Sequence, residues 1–183
     1  MLKKIIAGAI LIYATNINIA HAHVEDGQLY PESASWSKKF TAKQRFIVLP
    51  AFDDQAVLDR ETGLVWERTP DKVPRTWYEA MGDCRSKSVG ERLGWRLPAI
   101  EELASLVDPT QSRAPFLPAG HPFKNVQIGG QIYYSATSIA SKPANAMGMR
   151  PYDGSIRATL KNVRDIFVWC VRGGYGPGGD GQQ

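Results

Sequence analysis

Metal-binding and redox-active residues are scarce in this sequence. Among its 183 residues there are only two cysteines, Cys84 and Cys170, and three histidines. Two cysteines cannot build a framework of several disulfides, and no histidines and cysteines cluster at the spacing of a zinc site. We therefore expect a protein that carries no metal and no other cofactor.

Sequence signatures of catalysis are also missing. The chain contains no G-x-S-x-G nucleophile elbow, no P-loop and no dinucleotide-binding fingerprint. Glu101 and Glu102 are adjacent, so on a helix their side chains would point about 100° apart and would not converge on one substrate. His121 lies in a Gly-His-Pro segment, for which we favour a structural role. We expect that the protein is not an enzyme.

A large net charge is absent. The whole chain has a formal charge of +4, and Lys3 and Lys4 account for two of its 22 basic residues, which leaves 20 against 18 acidic residues. A surplus of this size is too small to indicate nucleic-acid binding. We therefore expect no nucleic-acid partner.

The apolar run at residues 5–12 is too short to span a membrane, and Asn16 and Asn18 interrupt its continuation. Two lysines precede the run and an Ala-His-Ala triplet at 20–22 follows it, which is the pattern of a secretory signal peptide. We expect residues 1–22 to be removed, leaving a mature protein without a membrane span in the periplasm, at the cell surface or outside the cell. An uncleaved membrane anchor is the alternative.

The remaining chain has a composition typical of one globular domain, with 43% hydrophobic and 22% charged residues over the whole sequence. Residues 23–44 are polar and without hydrophobic periodicity, so we expect a flexible lead-in. A small basic cluster at the entry to the fold would face solvent: Lys38, Lys39, Lys43 and Arg45. Residues 45–174 form the predicted domain, and the Gly-rich residues 175–183 predict a disordered tail.

Two segments far apart in sequence organise the predicted fold, and each contains one cysteine. Residues 76–88 predict an amphipathic helix with a Thr-x-x-Glu capping box at its start, because apolar residues recur with helical spacing at Trp77, Ala80, Met81 and Cys84. Residues 166–171 form a short apolar run, which predicts a strand buried on both faces. Paired cysteines are usual in exported proteins, so we predict a Cys84–Cys170 disulfide; two separate buried thiols are the alternative.

The other predicted elements place the chain in the α+β class. Residues 56–59 and 64–67 are apolar runs around a turn that contains Gly63, which predicts a β-hairpin. A second helix is predicted after Pro98, with an apolar face that extends to Val107. Residues 108–130 and 139–146 are predicted loops, and further strands are predicted at residues 45–50, 131–138, 147–150 and 155–159.

Basic side chains are concentrated in the C-terminal third of the chain. Only Asp153 and Asp165 oppose six of them, which are Lys142, Arg150, Arg157, Lys161, Arg164 and Arg172. Guanidinium groups bind sulfate and carboxylate through paired hydrogen bonds. We select as candidate ligand-binding residues Arg150, Arg157 and Arg164 for an anion, with Tyr134 and Tyr152 to stack on sugar rings. A merely solvated surface of mixed charge is the alternative.

Six segments occur in the order found in a known family: AVLDRETGLVWER, TWYEAMGDC, GWRLPAIEELASLVD, LPAGHPF, YYSATS and VWCVRGG. Together they resemble the Legionella collagen-like (Lcl) C-terminal domain family over about residues 46–174. The resemblance implies a C-type-lectin-like α+β domain, with two helices flanking antiparallel β-sheets. It also implies one disulfide from a helix to the last strand, which would fall on Cys84 and Cys170.

The same resemblance implies binding at the cell surface or outside the cell, because the founding adhesin of the family is associated with sulfated polysaccharides such as glycosaminoglycans. No EPN, QPD or WND motif for calcium-dependent sugar binding is present, and no collagen repeat precedes the domain. Position 99 is Ala where the family usually has a Thr cap. This should weaken the start of the second helix by roughly 1 kcal/mol if nothing else caps it.

Three functions compete at this point. We favour an exported, non-catalytic binding module for an anionic polysaccharide or another extracellular polymer. The first alternative is an envelope protein–protein interaction or assembly component, suggested by the Pro-rich loop at residues 108–130 and the polar lead-in. The second alternative is an enzyme of the formylglycine-generating type, although the copper-binding cysteine pair of those enzymes is not recognisable in this sequence.

Overall fold

The computed structural model describes residues 40–173, together with the backbone of two short strands before them. These are β1 (Val24–Glu25) and β2 (Gln28–Leu29), which pair antiparallel within a unit formed by residues 1–38. The predicted signal peptide at residues 1–22 and the predicted tail at residues 175–183 lie outside the described residues. All elements that follow belong to the second unit, residues 39–183.

A five-stranded antiparallel sheet contains the predicted hairpin. Its spatial order is β3-β4-β5-β10-β6, and its strands are β3 (Phe46–Val48), β4 (Ala56–Asp59), β5 (Leu64–Glu67), β6 (Trp95–Arg96) and β10 (Val171–Arg172). β4 pairs with β5 at the predicted residues, so the hairpin is confirmed. Gly63 closes its turn with a φ of +71°, a conformation that glycine adopts without steric cost.

A separate three-stranded antiparallel sheet is made of β7 (Tyr133–Ile139), β8 (Lys142–Arg150) and β9 (Ser155–Leu160). The predicted loop at residues 139–146 is wrong, because β8 begins at Lys142. Its first residues are polar or small and are exposed or partly exposed, so no apolar alternation marks them as a strand. Pairing with both neighbours holds them in the sheet, as at Ala146, which lies opposite Ser138 and Thr159.

Within residues 40–173, three short α-helices join the strands: α1 (Ala42–Arg45), α2 (Trp77–Ser86) and α3 (Ile100–Ser105). α2 confirms the first predicted helix, and its capping box is formed as expected, since Thr76 Oγ1 accepts from the Glu79 N–H and Glu79 accepts from the Thr76 N–H. α1 lies at the end of the expected lead-in, where Ala42 is buried in the core.

Thr137, from β7, replaces the side-chain cap that Ala99 cannot supply to α3. Alanine has no side-chain acceptor, but Thr137 Oγ1 of β7 accepts the Ile100 N–H at 3.0 Å, and Glu102 accepts the Ala99 N–H at 2.8 Å. Two of the orphan amides at the start of α3 are therefore satisfied. The helix ends at Ser105, two residues before the end expected from its apolar face.

The Cys84–Cys170 disulfide is present, with the two Cα atoms 5.5 Å apart, and both cysteines are fully buried. The predicted strand at residues 166–171 is wrong for most of its length, because only its last residue belongs to β10. Ile166 makes a single bridge to Arg75, and Phe167 makes a parallel bridge to Tyr133 of the other sheet. This segment therefore links the two sheets, which explains why it is apolar on both sides.

Successive residues of the linking segment enter two different apolar clusters. Trp169 packs with Tyr133 and Trp66 in one cluster, while Cys170 packs with Tyr134 in the cluster that contains the disulfide. The rings of Trp66 and Trp169 meet edge to face, with centroids 5.7 Å apart. The core is thus divided by the segment that carries the second cysteine.

Arg45 does not belong to the expected solvated basic cluster. Its Nε and Nη2 atoms donate to Asp59 Oδ1 and Oδ2 at 2.9 and 2.8 Å, and Asp59 is fully buried. Nη2 also donates to the Ser105 carbonyl at 2.7 Å. A guanidinium fork that matches a carboxylate in this way ties α1 to the β4–β5 hairpin and to the end of α3.

Candidate anion-binding surface

The turn between β8 and β9 brings two of the candidate arginines together. Arg150 lies opposite Ser155 and Gly148 lies opposite Arg157 in the ladder. Residues that face each other across a ladder, and residues two apart on one strand, share a face of the sheet. Arg150 and Arg157 therefore emerge from the same face at the same end of the hairpin.

A network of hydrogen bonds around Asp153 fixes this end of the hairpin. Arg150 Nε donates to Asp153 Oδ1 at 3.0 Å, and Arg150 Nη2 forms an ion pair with Oδ2. The Ser155 hydroxyl donates to Asp153 Oδ1 at 2.6 Å and accepts from Arg157 Nε at 3.1 Å. The hydrogen bond from Arg150 is the main cause that holds the pKa of Asp153 well below its usual range.

Tyr152 completes the group with an accessible ring. Its side chain is 51% exposed, and the Arg150 guanidinium lies 5.9 Å from the ring centroid. We call Arg150, Tyr152, Asp153, Ser155 and Arg157 the hairpin cluster. Two cations, one carboxylate and one aromatic ring are thus held at one exposed turn.

The turn between β8 and β9 packs against Val107 and against the Pro-rich loop that follows it at residues 108–130. The Phe116 N–H donates to the Pro151 carbonyl at 2.8 Å. Gly154 has a φ of +70°, and a Cβ atom there would lie 2.5 Å from Val107 Cγ1. Glycine is therefore required at this position both for its backbone conformation and for the approach of Val107.

Arg164 does not join the hairpin cluster. Arg150 ends β8 and lies opposite Ser155, the first residue of β9. Five residue steps of about 3.3 Å, roughly 17 Å in all, separate Ser155 from the end of β9 at Leu160. Arg164 follows Leu160 and forms an ion pair with Glu79 of α2, with 65% of its side chain exposed. The candidate arginines therefore occupy two separate regions.

Tyr134 must be removed from the candidate binding residues. It is fully buried in the cluster that contains the disulfide, and its hydroxyl donates to the Leu160 carbonyl at 2.5 Å. Burial raises the pKa of its phenol to about 12. Because no face of the ring is accessible, this tyrosine has no surface on which a sugar could stack.

Sequence reasoning missed a second group of polar and aromatic side chains around the start of α2. Tyr78 is 66% exposed, and its ring centroid lies 5.2 Å from that of Trp77. Lys161 Nζ lies 4.3 Å from the Trp77 centroid and donates to Ser138 Oγ at 2.6 Å. The available indication was that Tyr78 falls outside the apolar face of the predicted helix, which places an aromatic ring in solvent.

A cavity of about 300 Å³ lies near the start of the domain. It is lined by Phe40, Arg45, Glu61, Val107, Asp108, Pro109, Thr110 and Pro118. Its one basic side chain is Arg45, whose Nη1 is paired with Glu61 at 2.8 Å in addition to the bonds to Asp59. We therefore do not select this cavity for an anionic ligand.

Residues 40–173 contain no group of three or more His, Cys, Asp or Glu side chains that could hold a metal ion. His121 packs against Phe123, with ring centroids 5.7 Å apart, and burial lowers the pKa of its imidazole.

No helix in the part of the chain that the structure describes has the length and apolar character needed to cross a membrane.

Comparison with known proteins gives a family for the chain. No curated protein matches it. The sequence profile of one family, described as the Lcl C-terminal domain, matches residues 55–172. This range contains β4 to β10, both cysteines and the hairpin cluster. The chain belongs to the Lcl C-terminal domain family.

Proposed function

We propose that the protein is an exported, non-catalytic binding module with a C-type-lectin-like fold, which recognises an anionic polysaccharide or another extracellular polymer. Family membership and the α+β architecture with antiparallel sheets support the fold assignment. The buried disulfide supports an oxidising location, either the periplasm, the cell surface or the exterior. Both cysteines are consumed in that bond, so neither is available as a nucleophile or thiolate ligand.

The observation that carries the proposal is the position of Arg157 in the hairpin cluster. It is exposed, and among the described residues it has no carboxylate partner. Arg150 and Tyr152 lie beside it at the same turn. A sulfate or carboxylate can accept paired hydrogen bonds from a guanidinium that has no carboxylate partner, and an apolar sugar face can pack on an exposed aromatic ring.

The open shape of this surface favours a polymer over a small free anion. The hairpin cluster lies on a turn of an edge hairpin, where a chain can pass without being enclosed. One exposed guanidinium contact contributes little by itself, because solvent and salt screen it. A polymer that repeats its charges gains affinity from several weak contacts made together.

Arg157→Gln tests this proposal on a heparin column. We expect the wild-type protein to be retained at physiological salt and Arg157→Gln to elute at lower salt. Arg85→Gln is the matched control, because Arg85 is also exposed and the substitution removes the same charge from the far end of α2. Wild-type protein in the flow-through would contradict the proposal, and so would elution of the two variants at the same salt concentration.

An envelope protein–protein module is the second candidate, and one surface favours it. β9 is the edge strand of its sheet, and Ile156 and Leu160 are 41% and 47% exposed on the same face of that strand. Partly exposed apolar side chains on an edge strand suit association with another protein. Crosslinking in intact cells with Ile156→Lys as comparison would test it, and unchanged crosslinks would count against this surface.

A further inference from the structure

Lys161 is a buried cation without an anionic partner. Its residue is 8% exposed, and it forms no ion pair with any residue of the described range 40–173. Lysine is seldom buried unless it is paired with a carboxylate. Glu79, which lies nearby on α2, is engaged instead by Thr76 and by Arg164. The Trp77 ring stabilises the ammonium through its π-face but brings no negative charge.

Two hydrogen-bond donors remain available at this point. The Lys161 ammonium has three N–H groups, of which one donates to Ser138 Oγ and another can face the Trp77 ring. Since Ser138 Oγ accepts from Lys161, its own hydrogen must point elsewhere, and no acceptor for it occurs among the residues that the structure describes. An ammonium and a hydroxyl 2.6 Å apart thus present donors that one oxyanion could accept together.

The surrounding backbone fixes this pair of donors. Lys161 N–H donates to the Ala144 carbonyl at 2.9 Å, and the Lys161 carbonyl accepts the Trp77 N–H at 2.9 Å. The Trp77 indole N–H donates to the Ser135 carbonyl at 2.8 Å. Ser138 lies between two shifts of register in the β7–β8 ladder, an irregularity of the kind that re-aims a side chain.

Tyr78 supplies an exposed ring beside the donors. The Tyr78 centroid lies 5.2 Å from the Trp77 centroid, and Lys161 Nζ lies 4.3 Å from it. The distance between the Tyr78 centroid and Lys161 Nζ is therefore at most the sum of these two distances. A pyranose ring that packs on Tyr78 can therefore extend an acidic substituent toward Lys161. Trp77 lies between them and is held by its own hydrogen bond.

We propose that Lys161, Ser138 and Tyr78 form a binding subsite for one anionic sugar residue. We call these three residues the Lys161 subsite. Lys161 Nζ and the Ser138 hydroxyl bind the oxygens of a carboxylate or a sulfate ester, and the sugar ring packs on Tyr78. The inference rests on the proposed class of ligand, but it uses none of the residues of the hairpin cluster.

The test is an NMR titration of the mature protein with three monosaccharides: sodium glucuronate, glucose 6-sulfate and glucose. We expect the backbone amides of Ser138 and Lys161 to shift with an anionic sugar and not with glucose. Shifts with glucuronate alone assign a uronic acid, and shifts with glucose 6-sulfate alone assign a sulfated sugar. An equal response to glucose, or no response to any of the three, overturns the proposal.

Variants separate the subsite from general charge effects. Lys161→Met keeps an apolar stem on Trp77 and removes the charge, and we expect the Kd of the anionic sugar to rise at least roughly tenfold. Lys142→Met is the matched control, because it removes the same charge from an exposed position on β8. Lys161→Met that binds like wild type, or Lys142→Met that weakens binding equally, contradicts the assignment.

Ser138→Ala and Tyr78→Ala keep the test decisive if Lys161→Met does not fold, because both positions are exposed. We expect each to weaken sugar binding, and wild-type affinity in both overturns the subsite. Heparin retention separates this proposal from the broader one. Loss of retention in Arg157→Gln with an intact sugar titration supports both sites, whereas retention without any monosaccharide response removes only the Lys161 subsite.

Discussion

Glu67 lies beside the disulfide with its carboxyl group almost fully buried. It accepts hydrogen bonds from the Cys170 N–H at 2.9 Å and from Lys87 Nζ at 2.7 Å. Burial is the largest influence on this group and raises the pKa of Glu67 above its ordinary 4.5, against the opposing effect of Lys87. The folded protein therefore binds this proton more tightly than the unfolded chain does.

Glu67→Gln tests the consequence for stability. The stabilisation linked to protonated Glu67 is fully present below pH 4.5 and is lost as the pH rises through the raised pKa. Because an amide does not titrate, we expect the free energy of unfolding of Glu67→Gln, minus that of wild type, to increase with pH above about 4.5. Denaturant unfolding at several pH values measures this difference, and a constant or falling difference contradicts the assignment.

Single residues also show what the sequence can reveal of a binding site. Arg150 and Arg157 could be selected by residue type, as guanidinium groups in a basic region, but the sequence did not predict that they share one end of a hairpin and that Arg164 lies elsewhere. Tyr134 and Tyr152 look equally suitable in sequence, but only the fold shows that one ring is buried beside the disulfide and the other is exposed. Lys161 was visible as a basic residue, whereas its contacts with Trp77 and Ser138 depend on three distant segments.

At the scale of elements, the glycine in α2 and the glycine in the turn that follows it differ in whether a side chain could replace them. Gly82 lies on the exposed side of α2, and a Cβ atom there would meet nothing within 4 Å. Gly90 has a φ of +56°, and a Cβ atom there would lie 2.4 Å from the Phe52 backbone. Gly82 can therefore be replaced, whereas Gly90 is needed for the close approach of its turn to the backbone of Phe52.

We expect Gly82→Ala to raise the free energy of unfolding by about 0.5–1 kcal/mol, because alanine loses less conformational entropy in a helix. Gly90→Ala should lower it by about 2–4 kcal/mol, since both the backbone conformation and the contact with Phe52 become strained. Denaturant unfolding of the two variants gives the comparison. A neutral Gly90→Ala, or a destabilising Gly82→Ala, would show that these contacts are placed wrongly.

The sequence could predict those helices and strands whose stabilising residues lie within the element or next to it in the chain. α2 has its capping box and apolar face within 13 positions, residues 76–88, and the β4–β5 hairpin has its turn chemistry between its strands. The first half of β8 has no such local pattern, because pairing with β7 and β9 makes it a strand. The cap of α3 was also hidden, since Thr137 comes from a strand more than thirty positions away along the chain.

For the whole molecule, the disulfide joins residues 86 positions apart and spans most of the domain. Closing a loop of this length stabilises the folded state by roughly 4–5 kcal/mol when the effect is assigned to the entropy of the unfolded chain. The linking segment at residues 166–171 connects the two sheets, and the disulfide ties α2 to that segment. The proposed binding residues lie at the exposed end of the β8–β9 hairpin and around the start of α2, where Tyr78 is on the helix, Ser138 is in β7 and the buried Lys161 follows β9.

The most direct measurement is binding of the mature protein to a glycan array, with and without a calcium chelator. The hairpin cluster and the Lys161 subsite both rely on cationic side chains, and no calcium-dependent motif is present in the sequence. We predict binding to sulfated or uronic-acid-containing glycans that the chelator does not change and that added salt weakens. Binding confined to neutral glycans, or binding abolished by the chelator, would contradict this account.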